Sequence, residues 1–330
     1  MTGRERVLAA LNRQEPDKVP WIETYVHDEM VEKLVGHLVD VPRQVRINPA
    51  VYEVLPLDNL NYNFKAPDFA ETRVIDGIDY VGQGLIKSRA DLDKIRLADP
   101  TKDEFYRPAL EYLDRFGGHQ AAMANLRSGP ANTYLSMGMD VFSYALYDDP
   151  GFVEKVLDIF ADWYAEVAGN LARLGFDFAV VAEDLSDKSG PIFSPAVVRE
   201  FFLPRMKRVA DRLEIPWIWH SDGNVGPLLD DMLALGMAGI GHLEPPVNDV
   251  VRYKEEYGEH IAFLGNIDLH YTLTRGTPAE VEEEVRERMG QLGPGGGYLL
   301  ASSNGLTSYC KPENLLAMRD AREKYGHYPL

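Results

Sequence analysis

The sequence predicts an α/β fold: a (β/α)8 TIM barrel forming a single domain, 1–330, with an N-terminal excursion. Three observations predict it. Short apolar runs alternate with amphipathic helical segments along the whole chain, the pattern of a parallel sheet with crossover helices. The helix starts are marked by capping side chains followed by proline. The Gly-rich turn that an open dinucleotide-binding sheet requires after its first strand is missing, because Val19–Glu23 runs into Thr24-Tyr25-Val26-His27.

Thr2 and Glu5 form a capping box before Arg6-Val7-Leu8. Asp149-Pro150 opens a helix through Val153, Val156, Ile159 and Trp163, and Ser194-Pro195 opens one through Val198, Phe201 and Phe202. Thr277-Pro278 opens a third, and Pro312 begins the last. The strands are expected at Val19–Glu23, Val54–Leu60, Gln120–Leu126, Phe178–Ala182, Pro216–His220, Ala238–Gly241, Ala262–Asn266 and Tyr298–Ser302. Asn61–Asp99 fits no strand-helix unit and reads as an excursion, with a hairpin around Asp76-Gly77.

Apolar residues make up 45% of the chain and charged residues 26%, ordinary values for a soluble globular protein. The formal charge is −18, which argues against nucleic acid as a partner. Cys310 is the single cysteine, so no intrachain disulfide can form. The first residues lack an apolar signal core, and no stretch reaches the ~20 apolar residues of a membrane helix, so cytoplasmic residence is expected.

The most informative pattern lies just beyond each late strand: Glu183-Asp184, then His220-Ser221-Asp222-Gly223, His242-Leu243-Glu244, Asn266-Ile267-Asp268 and Ser302-Ser303-Asn304-Gly305. Polar residues cap helices in any α/β protein. Five consecutive strands ending in acids, imidazoles or amides instead point to an active site, because the carboxyl ends of barrel strands converge on one mouth.

These residues carry a resemblance. Arg4-Glu5-Arg6-Val7-Leu8-Ala9-Ala10-Leu11, Pro16-Asp17-Lys18-Val19-Pro20-Trp21, Ser194-Pro195 with Phe201-Phe202, Gly265-Asn266-Ile267-Asp268 and Pro312-Glu313-Asn314 resemble the uroporphyrinogen decarboxylase superfamily over nearly the full length. The resemblance implies a (β/α)8 barrel. It also implies one of two activities, porphyrinogen decarboxylation or zinc-dependent methyl transfer with corrinoid proteins. The decarboxylases' arginine-bearing Met-Arg-Gln-Ala-Gly-Arg stretch is replaced here by Ile22-Glu23-Thr24-Tyr25-Val26-His27, their Phe-Ser-Asp motif by Asn61-Tyr62-Asn63-Phe64, and their Gly-His-Gly by Ser303-Asn304-Gly305. A polycarboxylate substrate needs cationic partners, so the methyltransferase branch fits better.

That branch binds zinc through His-x-Cys, sometimes a glutamate, and a late cysteine. His220-x-Asp222 stands at the first position, with Glu244 24 residues and Cys310 90 residues after His220. The resemblance therefore implies His220, Asp222, Glu244 and Cys310 as metal ligands. Asp222 in place of a thiolate makes the site harder and opens it to other divalent metals. Asp222 before Gly223-Asn224 also suits an Asx-turn, and a lone cysteine also suits a buried apolar role. Glu183, Asp184 and His220 are expected to be catalytic, and Tyr25, His27, Arg127, Asn266, Asp268 and Asn304 to contact substrate. His242, His260 and His270 are expected to be structural or exposed.

The leading expectation is metal-assisted methyl transfer between a small substrate and a corrinoid on a partner protein. Its rival is a metal-free decarboxylase, and a third reading is a corrinoid- or metabolite-binding protein without catalysis. Dimerisation through helix faces is compatible with the fold.

Overall fold

The structure, a computed structural model, describes residues 1–75 and 78–330. Seven parallel strands form its centre: β1 Asn59–Asn63, β2 Ala121–Leu126, β3 Phe178–Ala182, β4 Trp217–His220, β5 Gly239–Gly241, β6 Ala262–Ile267 and β7 Tyr298–Ser302. They lie in chain order, each hydrogen-bonded to its sequence neighbours. No strand is skipped, so right-handed crossovers place the helices on one face and the sheet curls around the other.

The segment 19–23 lies along both edge strands of this curled sheet. Trp21 bridges Leu300 of β7 in parallel, and Ile22 N–H donates to Leu300 O at 3.0 Å. On its other side Asp58 N–H donates to Trp21 O at 2.7 Å, and the Asn59 amide donates to Glu23 O at 2.9 Å.

The helix starts agree with the sequence. Glu5 N–H donates to Thr2 Oγ1 at 3.2 Å and Thr2 N–H to Glu5 Oε2 at 2.7 Å, completing the capping box of helix Gly3–Leu11. Asp149 accepts from Phe152 N–H at the start of Pro150–Asn170, Ser194 accepts from Val197 N–H, and Thr277 caps Pro278–Leu292. Helix Pro312–Tyr325 begins at its proline.

Two strands differ from expectation, for segment 19–23 forms only an isolated bridge at Trp21 rather than a strand. Residues 54–58 are not extended into the sheet, a short 3-10 helix occupies Pro49–Glu53, and β1 starts at Asn59. Pro56 cannot donate to a ladder, and Asn59 and Asn61 tolerate burial because their amides bond Glu23 O and Thr24 O. The excursion contains an antiparallel pair, Ala70–Ile75 with Ile78–Gly84. The turn expected at Asp76-Gly77 falls outside the described residues.

Strand periodicity sorts the apolar side chains into two layers. Ala121, Met123, Phe178, Val180, Ile218, Ala262, Leu264, Leu299 and Ala301 form one cluster with Ile22, and Val7, Ala10 and Leu11 of the first helix join it. The alternate residues, including Trp217, Trp219, Phe263 and Leu300, join a larger cluster with the helices. The first helix thus packs into the hollow of the sheet. Below it, Arg322 is buried against Asp58, which also accepts from Trp21 N–H at 2.8 Å and Arg6 at 3.3 Å.

Candidate metal and substrate site

The carboxyl ends of the strands stand side by side: Asn63 beside Asn125, Ala182 beside His220, and His220 beside Gly241. His220, at the end of β4, has its side chain 12% exposed. The chain then turns sharply at Gly223, whose φ is +75° and whose place a Cβ could take only at 2.4 Å from Asp187 O. Because Ala182 and His220 are register partners, Asp222 emerges beside Asp184, and its N–H donates to Asp184 Oδ1 at 3.2 Å.

Asp184, His220 and Asp222 each offer a ligand atom, all within 4.8 Å of one another. His220 Nε2 lies 3.6 Å from Asp184 Oδ1 and 3.8 Å from Asp222 Oδ1. Ligands about 2.1 Å from a tetrahedral zinc are separated by about 3.4 Å, so the three groups fit such a cation with little movement. Burial pushes the Asp222 carboxyl above its ordinary range against the pull of His220, and the neighbouring Asp184 and Glu244 add to the rise. A bound cation would relieve that strain on the charged form. Asn304 holds Asp222 by donating to both carboxylate oxygens at 3.0 Å.

His242 supports His220 from behind. Its Nδ1 lies 3.1 Å from His220 Nδ1, and its backbone N–H points at the same nitrogen from 3.3 Å. Burial drives the His242 pKa well below the ordinary value, which keeps the ring neutral.

Beside this group opens a cavity of about 350 Å3. Of the residues expected at the site, Tyr25, Asp222, Glu244, Asp268 and Asn304 line it, joined by His270, Ser303 and Thr307. Glu244 faces Lys188 at 3.5 Å. Asp268 accepts from His270 and Tyr271 N–H groups at 2.8 and 2.9 Å, so it also orders its own loop.

The remaining expected residues lie in other settings. Glu183 is fully buried, and its carboxylate takes donors from Ser128, Gly129 and Ala131 N–H and from the Ser128 hydroxyl, at the start of helix Pro130–Met137. His27 caps helix Asp28–Val35 through Nδ1. Arg127 pairs with Asp68 at 2.9 Å. Asn266 is buried and donates to Leu243 O at 2.8 Å, with no partner for its Oδ1 among the described residues. Cys310 is buried, its sulfur 3.8 Å from Thr307 Oγ1, and burial pushes its thiol pKa up. Glu244 and Cys310 both stand outside the close group of three.

Two features went unread in the sequence: the union of Asp184 with the His220-x-Asp222 pair, and the backing of His220 by His242. Both residues stand just after strands, the signal that could have placed them there.

The family model described as uroporphyrinogen decarboxylase (URO-D) matches residues 76–325. The chain belongs to the uroporphyrinogen decarboxylase family. Members similar to it differ in named activity. The methylcobamide:CoM methyltransferase MtaA of Methanosarcina barkeri is 26% identical over 52% of this chain, a match that spans about half of that protein, 49% of its length. The methylcobamide:CoM methyltransferase MtbA of Methanosarcina mazei is 23% identical with 99% of each chain covered. The uroporphyrinogen decarboxylase of Alkalilimnicola ehrlichii is 24% identical over 76% of this chain and 70% of its own. In fold, the chain matches a methyltransferase from Methanosarcina mazei with a TM-score of 0.79, at 20% identity over 98% of this chain and 99% of that one. No helix among the described residues is long and apolar enough to cross a membrane.

Proposed function

We propose that this chain is a metal-dependent methyltransferase that moves a methyl group between a small substrate and a corrinoid carried by a partner protein. The observation that carries the reading is the close Asp184–His220–Asp222 group at the edge of the 350 Å3 cavity. The similarity to MtaA and MtbA supports it. The reading takes the curled sheet, with segment 19–23 laid between its edge strands, as a closed (β/α)8 barrel acting as one unit.

Asp184, His220 and Asp222 would hold zinc, with Glu244 a further carboxylate lining the same cavity. When bound, the zinc would supply Lewis acidity to a thiol, ether or phenolic heteroatom of the substrate. Asn304 fixes the orientation of Asp222, and His242 fixes the ring of His220. Tyr25, Asp268 and Asn304 would shape the substrate's place. Glu183 would hold the β3 end in position through the helix it anchors. Four carboxylates at this side of the mouth, Asp184, Asp222, Glu244 and Asp268, would repel a polycarboxylated tetrapyrrole, which disfavours the decarboxylase reading.

The test is metal analysis joined to a turnover assay. Purified protein is expected to take up zinc stoichiometrically, H220A to lose it, and the zinc form to demethylate methylcobalamin with a thiol acceptor, followed by the cobalamin spectrum. Absence of zinc uptake, with chelator-insensitive carbon dioxide release from uroporphyrinogen, would refute the proposal. C310A settles the thiolate: loss of zinc in that variant would add Cys310 to the ligands, and full zinc content would remove it.

A further inference from the structure

A second cavity, of about 520 Å3, lies outside the curled sheet, between it and the helices that cover it. β1 forms its inner wall. Asn61 faces the hollow, since its register partner Met123 belongs to the inner cluster, whereas Tyr62 pairs with Ala124 and joins Phe64 in the outer layer. Phe105 of helix Asp103–Phe116 and Trp163 of helix Pro150–Asn170 complete an aromatic lining. The four rings form a chain: their centroids lie 5.0 Å apart for Tyr62–Phe64, 6.2 Å for Phe64–Phe105 and 5.6 Å for Phe105–Trp163. Trp163 Nε1 donates to Ala98 O at 2.7 Å, which fixes the indole with its polar edge already engaged. At the rim stand Lys65, which shares Asp68 with Arg127, and Arg43, exposed and without a carboxylate partner among the described residues.

We propose that this cavity binds a flat aromatic acid of two fused rings, its rings on the aromatic lining and its carboxylate at Arg43. Side chains normally interdigitate where helices cover a sheet, so a ring-lined gap of this size marks a binding pocket. It has room for about 17 waters at about 30 Å3 each, more than a single ring would fill. Rings gain offset and edge-on contacts against rings, which a straight apolar chain would forgo. Charge selects the acid. In a chain of formal charge −18, a guanidinium without a counter-ion offers a carboxylate a planar, two-donor contact. An aromatic cation would meet Arg43 and Lys65 with only Asp68 to attract it, and Asp68 already accepts from Arg127 and Asn132. β1 stands between this cavity and the Asp184–His220–Asp222 group, so the bound acid is not the molecule that reacts there. The inference therefore goes beyond the function proposed above and does not depend on it.

The probes are 2-naphthoate and its neutral counterpart 2-naphthalenemethanol, titrated calorimetrically into the full chain at constant ionic strength. The acid is expected to bind as one molecule per chain and about fivefold more tightly than the alcohol, the worth of one exposed ion pair. R43Q is expected to bring that ratio close to one while leaving the alcohol's Kd unchanged. A98W, which sets a ring into the cavity from its edge, is expected to abolish binding of both probes, with thermal unfolding used to verify that the variant is folded. H220A is expected to bind both as the wild type does, because the mouth lies across β1. No binding by the wild type, equal binding of acid and alcohol, an acid preference that survives R43Q, or binding retained by folded A98W would overturn the site. Loss of binding in H220A would overturn it too, by placing the probes in the mouth. If A98W does not fold, the R43Q ratio and the H220A comparison decide between these outcomes.

Discussion

His220 Nδ1 and His242 Nδ1 face each other at 3.1 Å, a distance that requires one of the two nitrogens to carry a proton and the other a lone pair. The His242 backbone N–H donates to that same His220 Nδ1 at 3.3 Å, so ligation of a cation through His220 Nε2 would require the proton to shift to Nδ1, with the His242 ring as its acceptor. Replacing His242 by Phe leaves that N–H without its acceptor. Zinc affinity of H242F, measured by competition with a chromogenic chelator, is expected to fall about 10- to 100-fold. An unchanged affinity would show that the imidazole pair does not orient the ligand.

Glu183 neutralises a buried cluster of donors at the start of helix Pro130–Met137. E183A orphans three backbone N–H groups in a place that water does not reach. Denaturant unfolding is expected to show a loss of about 3 kcal/mol or more, since each unsatisfied buried donor costs about 1–3 kcal/mol. A loss under about 1 kcal/mol would mean that water replaces the carboxylate.

Glu23 is fully buried, and burial raises its pKa from 4.5 to about 7 against hydrogen bonds from Trp21 and Ser302. The folded chain therefore keeps this proton at pH values where the unfolded chain has released it. The contribution is complete below pH 4.5 and declines as pH rises towards 7, by about 3 kcal/mol in all. Urea midpoints across this range should fall with pH more steeply in the wild type than in E23Q. Parallel profiles would assign the slope to other groups.

Arg322 and Asp58 form a buried ion pair, their side chains 2% and 6% exposed. D58N leaves the guanidinium without its counter-charge and is expected to cost about 3–5 kcal/mol in urea unfolding. The double variant D58N/R322M should recover part of that loss, because it also removes the guanidinium left buried without a counter-charge. A double variant no more stable than D58N would argue for a packing role of Arg322 beyond its charge.

Capping chemistry was the most legible feature of the sequence, because Thr2, Asp149, Ser194 and Thr277 act on donors within three residues of themselves. β1 was misplaced for the opposite reason. The sequence reading ends the strand at Leu60 and gives Asn61 to the excursion, whereas the strand runs through Asn59 and Asn61 because their amides find partners 36 and 37 positions away in segment 19–24. The strand-end clusters located the mouth, and Asp222, Glu244, Asp268 and Asn304 do line one cavity. The closeness of Asp184 to His220 follows from the register that sets Ala182 beside His220, a pairing across strands that leaves no local pattern in the sequence.

Val7, Ala10 and Leu11 of the first helix fill the hollow of the sheet with apolar side chains. A molecule reaching the reactive groups would then leave by the doorway it entered, with no passage through the far end. A bulky carrier resting against that doorway would trap whatever lies beneath until it withdraws. Traffic would become strictly alternating, and the pace of turnover would be set by how briefly the carrier stays.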